Sequence, residues 1–113
     1  MPYIEVKVSK KLNENQKSEL SMQLSDAVSS AFSKPKAYIM ISVEDEKLLF
    51  MADKKTENGA YISVKLVGNP SKSVCQSLTE NICDILSEYE IQPSNVYITY
   101  QPVDLWGWNG IMF

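Results

Sequence analysis

The chain has 113 residues, of which 44% are hydrophobic, and a formal net charge of -3 without a single histidine. This length and apolar content fit one domain, over residues 1–113, with a core of its own. Lysine, aspartate and glutamate are interspersed and form no basic field, which argues against a nucleic-acid partner, and no run of about 18 apolar residues indicates a membrane partner.

The first elements along the chain are predicted as a strand and a helix. Apolar and polar residues alternate over residues 2–8, as in a half-buried strand. Asn13, followed three residues later by Gln16, has the spacing of a capping box, and apolar residues then recur at helical spacing until Pro35. We therefore expect a helix over residues 14–33.

The rest of the chain completes this unit and repeats it. A nearly continuous apolar run over 38–43 predicts a strand. A further strand is expected over 60–67, a helix over 71–89, and a last strand within 91–100. The sequence thus predicts two tandem β-α-β units of an α/β fold, which some schemes class as α+β.

The predicted repeat has a consequence for the sheet. Right-handed crossovers would place both helices on one face of a single four-stranded sheet. The opposite face would be bare, and we expect residues such as Ile62 and Val64 to be wet there in a monomer. A closed symmetric assembly would cover that face, although the repeat leaves the number of copies open.

Cysteine usage and the start of the chain bear on its location. Cys75 and Cys83 lie eight residues apart within the second predicted helix, an axial rise of about 12 Å that is too long for a disulfide. Free thiols are expected. The sequence has no signal-like apolar segment after a basic start. We expect a cytoplasmic protein, unless it is secreted by a route that needs no leader.

The residues that usually carry catalysis are nearly absent. Without histidine there is no Ser-His or Cys-His arrangement, no cluster of ligands indicates a metal site, and no glycine-rich phosphate loop is present. The remaining candidate base is the secondary amine of Pro2, which removal of Met1 would expose. An α-amino group titrates at pH ~7.7–8.0, and burial or a nearby cation would lower its pKa. A Met-Pro start also occurs by chance, and the residues alone favour that plainer interpretation.

Five segments, in order along the chain, carry a family resemblance. They are MPYIEVKV at residues 1–8, FSKPKAYIMISV at 32–43, VG at 67–68, VYITY at 96–100 and WGWNG at 106–110. Together they resemble the macrophage migration inhibitory factor (MIF) family of the tautomerase superfamily. The resemblance implies a mature N-terminal proline as catalytic base, a tandem β-α-β fold, and a homotrimer with active sites at the subunit interfaces.

The resemblance also implies roles for individual residues. Pro2 corresponds to the catalytic proline and Lys34 to the lysine that binds the substrate carboxylate. Val67 stands where the family has the isoleucine of Ser-Ile-Gly, whose backbone amide binds substrate; here the triplet is Leu66-Val67-Gly68. The other residues of this half of the pocket are Tyr3 at its mouth, Trp106 and Trp108 as its wall, and Phe113 as the residue that closes it.

Two further residues are implied for the pocket. Tyr97 corresponds to a pocket tyrosine that the neighbouring subunit donates. Thr99 stands where well-known members have asparagine; threonine can still form a hydrogen bond, with shorter reach. Considered without the family, Lys34 fits a cation at a helix C-terminus, and the aromatic residues fit core or interface packing. The Cys-x-x-Cys of some members is replaced by residues 59–62, so thiol-disulfide activity is not expected.

The function that the resemblance implies is that of an isomerase, a keto-enol tautomerase acting on a small-molecule α-keto acid such as phenylpyruvate. Pro2 would transfer the proton and Lys34 would hold the carboxylate, so that no cofactor and no metal is required. The alternative is a secreted, cytokine-like ligand that binds a protein receptor and keeps the pocket as a recognition surface. The two functions do not exclude each other.

Overall fold

The computed structural model describes all 113 residues. In chain order, the elements are β1 (Pro2–Val8), α1 (Glu14–Phe32), β2 (Met40–Glu44), β3 (Phe50–Met51), β4 (Lys54–Lys55), β5 (Ala60–Leu66), α2 (Lys72–Ser87), β6 (Val96–Pro102), β7 (Gly107–Trp108) and β8 (Ile111–Met112). Short 3-10 turns at Lys36–Tyr38 and Pro93–Asn95 precede β2 and β6. Neither helix has the length and the apolar composition that a membrane crossing requires.

Both helices begin at a side-chain cap. At α1 the carboxamide oxygen of Asn13 accepts the amide of Gln16 at 2.8 Å, and the Gln16 side chain accepts the Asn13 amide at 2.9 Å, which confirms the predicted capping box. At α2 the hydroxyl of Ser71 accepts the amide of Val74 at 3.2 Å. Each helix agrees with its predicted span to within two residues at either end.

Four strands form one mixed sheet in the order β2-β1-β5-β6. β1 pairs in parallel with β2 and antiparallel with β5, and β5 pairs in parallel with β6. Both helices pack on one face of this sheet and against each other. The predicted pair of β-α-β units, with two helices on one side of a four-stranded sheet, is therefore confirmed.

The core lies between the helices and the sheet. In β1 and β5 the buried residues stand opposite one another, with Ile4 beside Val64 and Val6 beside Ile62, and all four are fully buried. The helices contribute Leu20, Leu24, Leu78, Ile82 and Leu86. Burial of one such side chain contributes about 1.5–3 kcal/mol, so this layer stabilises the whole two-helix, four-strand arrangement.

The expectation that Ile62 and Val64 are wet in a monomer is wrong, because the helices cover both side chains. Side chains alternate between the two faces of a sheet along each strand. The residues next to Ile62 and Val64 in β5 therefore point to the open face. That face is mostly polar, with one apolar residue, Met40, on its edge strand: it carries Tyr3, Glu5, Lys7, Met40, Ser42, Glu44, Tyr61, Ser63, Lys65, Tyr97, Thr99 and Gln101. A bare apolar sheet face therefore gives no reason for assembly.

The strand predicted over 38–43 begins only at Met40, and a 3-10 turn takes its first residues. The amide of Tyr38 donates to the carbonyl of Pro35 at 3.1 Å, which closes this turn directly after the proline. Two hairpins, β3-β4 and β7-β8, have no counterpart in the prediction. They turn through left-handed residues, at Ala52-Asp53 and at Asn109-Gly110.

Candidate active site

Pro2 opens β1 at one end of the sheet. It is buried and stands opposite Leu66 of β5, directly before Val67. The carbonyl of Leu66 accepts a hydrogen bond from the amide of Val103 at 2.8 Å. Gly68 then turns the chain away with a φ of 102°, a conformation that favours glycine. One chain thus brings Pro2 and Val67, both predicted site residues, to the same end of the sheet.

Lys34 lies in the loop between α1 and β2. Its ammonium group takes part in no ion pair, whereas Lys36 in the same loop pairs with Asp26. Burial first, and the charge of Lys34 second, lower the pKa of the chain's N-terminal amine below its usual value. An unpaired cation therefore lies close enough to the N-terminus to disfavour its protonation.

The β7-β8 hairpin contributes an aromatic cluster. The ring of Trp108 meets Tyr38 edge-on at a centroid distance of 5.5 Å, and it stacks on Phe113 at 6.4 Å. The amide of Phe113 donates to the carbonyl of Trp106 at 2.9 Å, which holds the last residue against the hairpin. Offset and edge-on aromatic pairs of this kind stabilise a wall of rings.

The aromatic cluster lies at the same end of the sheet as Pro2. The parallel register pairs Tyr3 with Met40, so Tyr38, two residues before Met40, lies at the end of the sheet where β1 begins. Tyr38 was not among the predicted site residues, because it was assigned to the strand that follows. Tyr3 itself lies on the open face, where its hydroxyl donates to Glu5 at 3.4 Å.

Tyr97 lies at the other end of the sheet. It pairs with Tyr61, whereas Leu66, the partner of Pro2, pairs with Pro102. Five residues of strand separate Tyr97 from Pro102, a distance of about 17 Å along the sheet. The Tyr97 side chain is 68% exposed. One chain therefore does not bring Tyr97 to its own Pro2.

Thr99 lies near the middle of β6, opposite Ser63, and a cavity opens at the Tyr97 end. The hydroxyl of Thr99 lies 2.8 Å from that of Tyr61. A cavity of about 260 Å³ opens beside Tyr97, and it is lined by Leu49, Phe50, Met51, Ala52, Thr56, Gly59, Ala60, Tyr61, Asn95 and Tyr97. Neither Pro2 nor Lys34 lines it, so this cavity is separate from the predicted site.

The family model described as macrophage migration inhibitory factor (MIF) matches residues 1–113. This chain belongs to the MIF family. No curated protein matches its sequence.

Several solved structures share the fold, MIF proteins among them. MIF2 from Leishmania major superimposes with a TM-score of 0.92 at 23% identity, over 100% of this chain and 97% of that chain. The MIF homologue from Prochlorococcus marinus gives a TM-score of 0.89 at 28% identity, over 98% of each chain. Pt0534 inactivated by 2-oxo-3-pentynoate gives a TM-score of 0.78 at 18% identity, over 90% of this chain and 85% of that chain. The family match and these neighbours together show that the chain has the MIF fold.

Proposed function

We propose that this protein is a keto-enol tautomerase of phenylpyruvate-type α-keto acids, with the amine of Pro2 as general base after removal of Met1. The observation that carries the proposal is a buried Pro2 next to the Met1 amine, whose pKa is lowered by burial and by the charge of the unpaired Lys34. A base whose pKa lies near the working pH is neutral often enough to accept a proton and acidic enough to return it.

The reaction moves one proton and no electrons leave the substrate. The nitrogen of Pro2 takes a proton from the carbon next to the ketone. The electron pair of that C–H bond forms the enol double bond, and the π pair of the ketone C=O moves onto its oxygen. The same proton then returns to the ketone oxygen, so that the product is the enol isomer. Lys34 would hold the substrate carboxylate by a charge-assisted contact, which places the reacting carbon at Pro2.

The rings of Trp108, Phe113 and Tyr38 would receive the aryl group of the substrate. Apolar and aromatic walls with few polar groups are the usual lining of small-molecule sites, and they exclude water from the proton transfer. The structural neighbour Pt0534 is inactivated by 2-oxo-3-pentynoate, which is itself an α-keto acid. Recognition of the same carboxyl-ketone unit by this chain is consistent with an unpaired Lys34.

We also propose that the active form is a homotrimer whose neighbouring subunit supplies Tyr97 and Thr99. The resemblance puts Tyr97 in the pocket, and because about 17 Å separates the Tyr97 and Pro2 ends of one sheet, a second copy would have to supply it. Apolar side chains exposed at the margins of the fold would be covered in such an assembly: Met40, Leu48, Phe50, Leu105, Ile111 and Met112.

A tautomerase assay on phenylpyruvate, with the N-terminus established by mass spectrometry, tests the proposal. Protein that starts at Pro2 should turn over the substrate. A matched preparation that retains Met1 converts the Pro2 amine into an amide nitrogen, whose electrons are delocalised and cannot accept the proton. It should fold normally and lose activity by about 10²–10⁴-fold. Full activity with Met1 retained would exclude Pro2 as the base.

A further inference from the structure

Tyr61 is a tyrosine on the open face of β5 to which the proposed chemistry assigns no role. Its register neighbours are Lys7 on β1 and Tyr97 on β6. Its hydroxyl lies 2.8 Å from the hydroxyl of Thr99, and the ring is only half-buried. Tyr61 therefore contacts both residues of β6 that are proposed to complete the site of a neighbouring copy. It lies beside Tyr97 and forms a hydrogen bond with Thr99.

Thr99 needs such a partner if it is to bind a substrate. Its hydroxyl sits on a short side chain, and threonine has more than one accessible rotamer, so an unsupported hydroxyl has no fixed direction. The Tyr61 hydroxyl is carried on a rigid ring. When Tyr61 donates to Thr99, the lone pair of Thr99 is occupied and the Thr99 O–H is left free to donate outward.

The geometry points to Tyr61 as a positioning residue that holds the Thr99 hydroxyl for substrates with a polar group at the far end of the aryl ring. This inference rests on the proposed function, since it needs Thr99 to face the Pro2 site of a neighbouring copy. With the carboxylate at Lys34 and the reacting carbon at Pro2, the far end of the ring is the part left to meet Thr99. Hydroxyphenylpyruvate has a hydroxyl there and phenylpyruvate does not.

The same face of the sheet offers a matched control. Two residues along β5, the hydroxyl of Ser63 donates to the side chain of Gln101 on β6 at 2.9 Å. This is the same kind of cross-strand bond between the same two strands. Neither of its members has a part in the proposed site, so Ser63→Ala reports the effect of losing such a bond alone.

The test is a mutant cycle read on two substrates. Tyr61→Phe should raise KM for hydroxyphenylpyruvate about 3- to 10-fold, the loss of roughly one hydrogen bond, with kcat nearly unchanged and little effect on phenylpyruvate. Thr99→Val should raise KM for hydroxyphenylpyruvate by a similar factor. The double variant should have the same KM as Thr99→Val alone, because the two hydroxyls act as one unit. Thr99→Ser, which keeps the hydroxyl, should retain most of the affinity, and Ser63→Ala should change neither KM.

The outcomes distinguish a wrong role for Tyr61 from a wrong proposed function. KM does not depend on the amount of folded enzyme, so a poorly folding variant still gives a valid comparison of the two substrates. Equal losses on both substrates, or independent effects of Tyr61→Phe and Thr99→Val, overturn the role of Tyr61 while Pro2-dependent turnover continues. If the wild-type protein shows no turnover that requires a free Pro2, the proposed function fails, and this inference fails with it.

Discussion

The hydroxyl of Ser29 donates a 2.6 Å hydrogen bond to the carbonyl of Lys34, and the amide of Lys34 donates back to the carbonyl of Ser29 at 3.2 Å. Between them, Ser33 takes a left-handed conformation with φ of 53° and ends α1. This reciprocal pair fixes the backbone at Lys34. The last turn of the helix thereby sets where the proposed carboxylate ligand leaves the main chain.

The first prediction concerns this pair. Ser29→Ala removes one of the two hydrogen bonds, and we expect the free energy of unfolding to fall by about 0.5–1.5 kcal/mol. Urea denaturation measures the change. Ser30→Ala is the matched control, since Ser30 is exposed on the next position of the same helix. Equal effects of the two substitutions would show that the Ser29 hydroxyl contributes nothing beyond helix propensity.

The second prediction concerns the charge of Lys34. Lys34→Ala should raise KM for phenylpyruvate by a factor that corresponds to roughly 1.5–3 kcal/mol, because a hydrogen bond to a charged group is lost. The methyl ester of the same substrate should be affected little. Lys36→Ala, in the same loop but paired with Asp26, should leave both KM values nearly unchanged. An equal loss on acid and ester would argue against carboxylate binding by Lys34.

The fold was largely predictable because its signals are local. The capping box at Asn13, the helical spacing up to Pro35 and the repeat of the β-α-β order each depend on neighbours in sequence. The assignment of Ile62 and Val64 to the bare face failed at a different step. The alternation of apolar and polar residues shows that Ile62 and Val64 share one face of β5. In a two-layer fold the helices cover the apolar face of the sheet, so this face is buried and the polar face is open.

The sequence indicates residues of the candidate site only where a short motif contains them. Pro2 and Lys34 follow from such motifs, whereas the contact of Tyr38 with Trp108 depends on how the C-terminal hairpin folds back. Asn109-Gly110 is a strong hairpin signal that could have indicated this turn. The distance from Tyr97 to Pro2 follows from strand order, which the sequence does not specify directly.

The third prediction tests the corrected core. Ile62→Ala should lower the free energy of unfolding by about 2–5 kcal/mol, because it removes a fully buried side chain and leaves a cavity. Met22→Ala, on the exposed side of α1, should change stability by less than about 0.5 kcal/mol. Chemical denaturation of both variants gives the comparison. A small effect at Ile62 would mean that the helices do not cover this face in solution.

The fourth prediction tests the shared site by subunit complementation. A chain with a tag ahead of Met1 lacks the base, and a Tyr97→Ala chain lacks the residue proposed to come from the neighbour. Refolding the two together should restore activity well above either parent, to about a quarter of wild type if subunits mix at random in a closed trimer. Light scattering should give a trimer. Activity no higher than the parents, or a monomer of 12.8 kDa, would contradict a shared site.

The fifth prediction is the pH dependence of turnover. Burial, and then the charge of Lys34, lower the pKa of the Met1 amine below its ordinary value, and we expect the same two causes to act on the Pro2 amine, one residue further along, once Met1 is removed. Only the neutral amine can accept a proton, so kcat/KM should fall as the pH drops through this lowered pKa. Lys34→Ala removes the smaller of the two causes, so the midpoint should move to higher pH while burial keeps it below that of a free amine.

The pH dependence is measured with the ester substrate, whose binding does not depend on a carboxylate contact with Lys34. A shift of the midpoint in Lys34→Ala then reports on the pKa of the amine and not on substrate binding. Lys34→Arg keeps the charge and should leave the midpoint close to that of the wild-type protein. The expected order of midpoints is therefore wild type and Lys34→Arg together, with Lys34→Ala above them. A midpoint that stays fixed in Lys34→Ala would show that burial alone sets the pKa, and a midpoint that falls would show that Lys34 does not act on the amine as a positive charge.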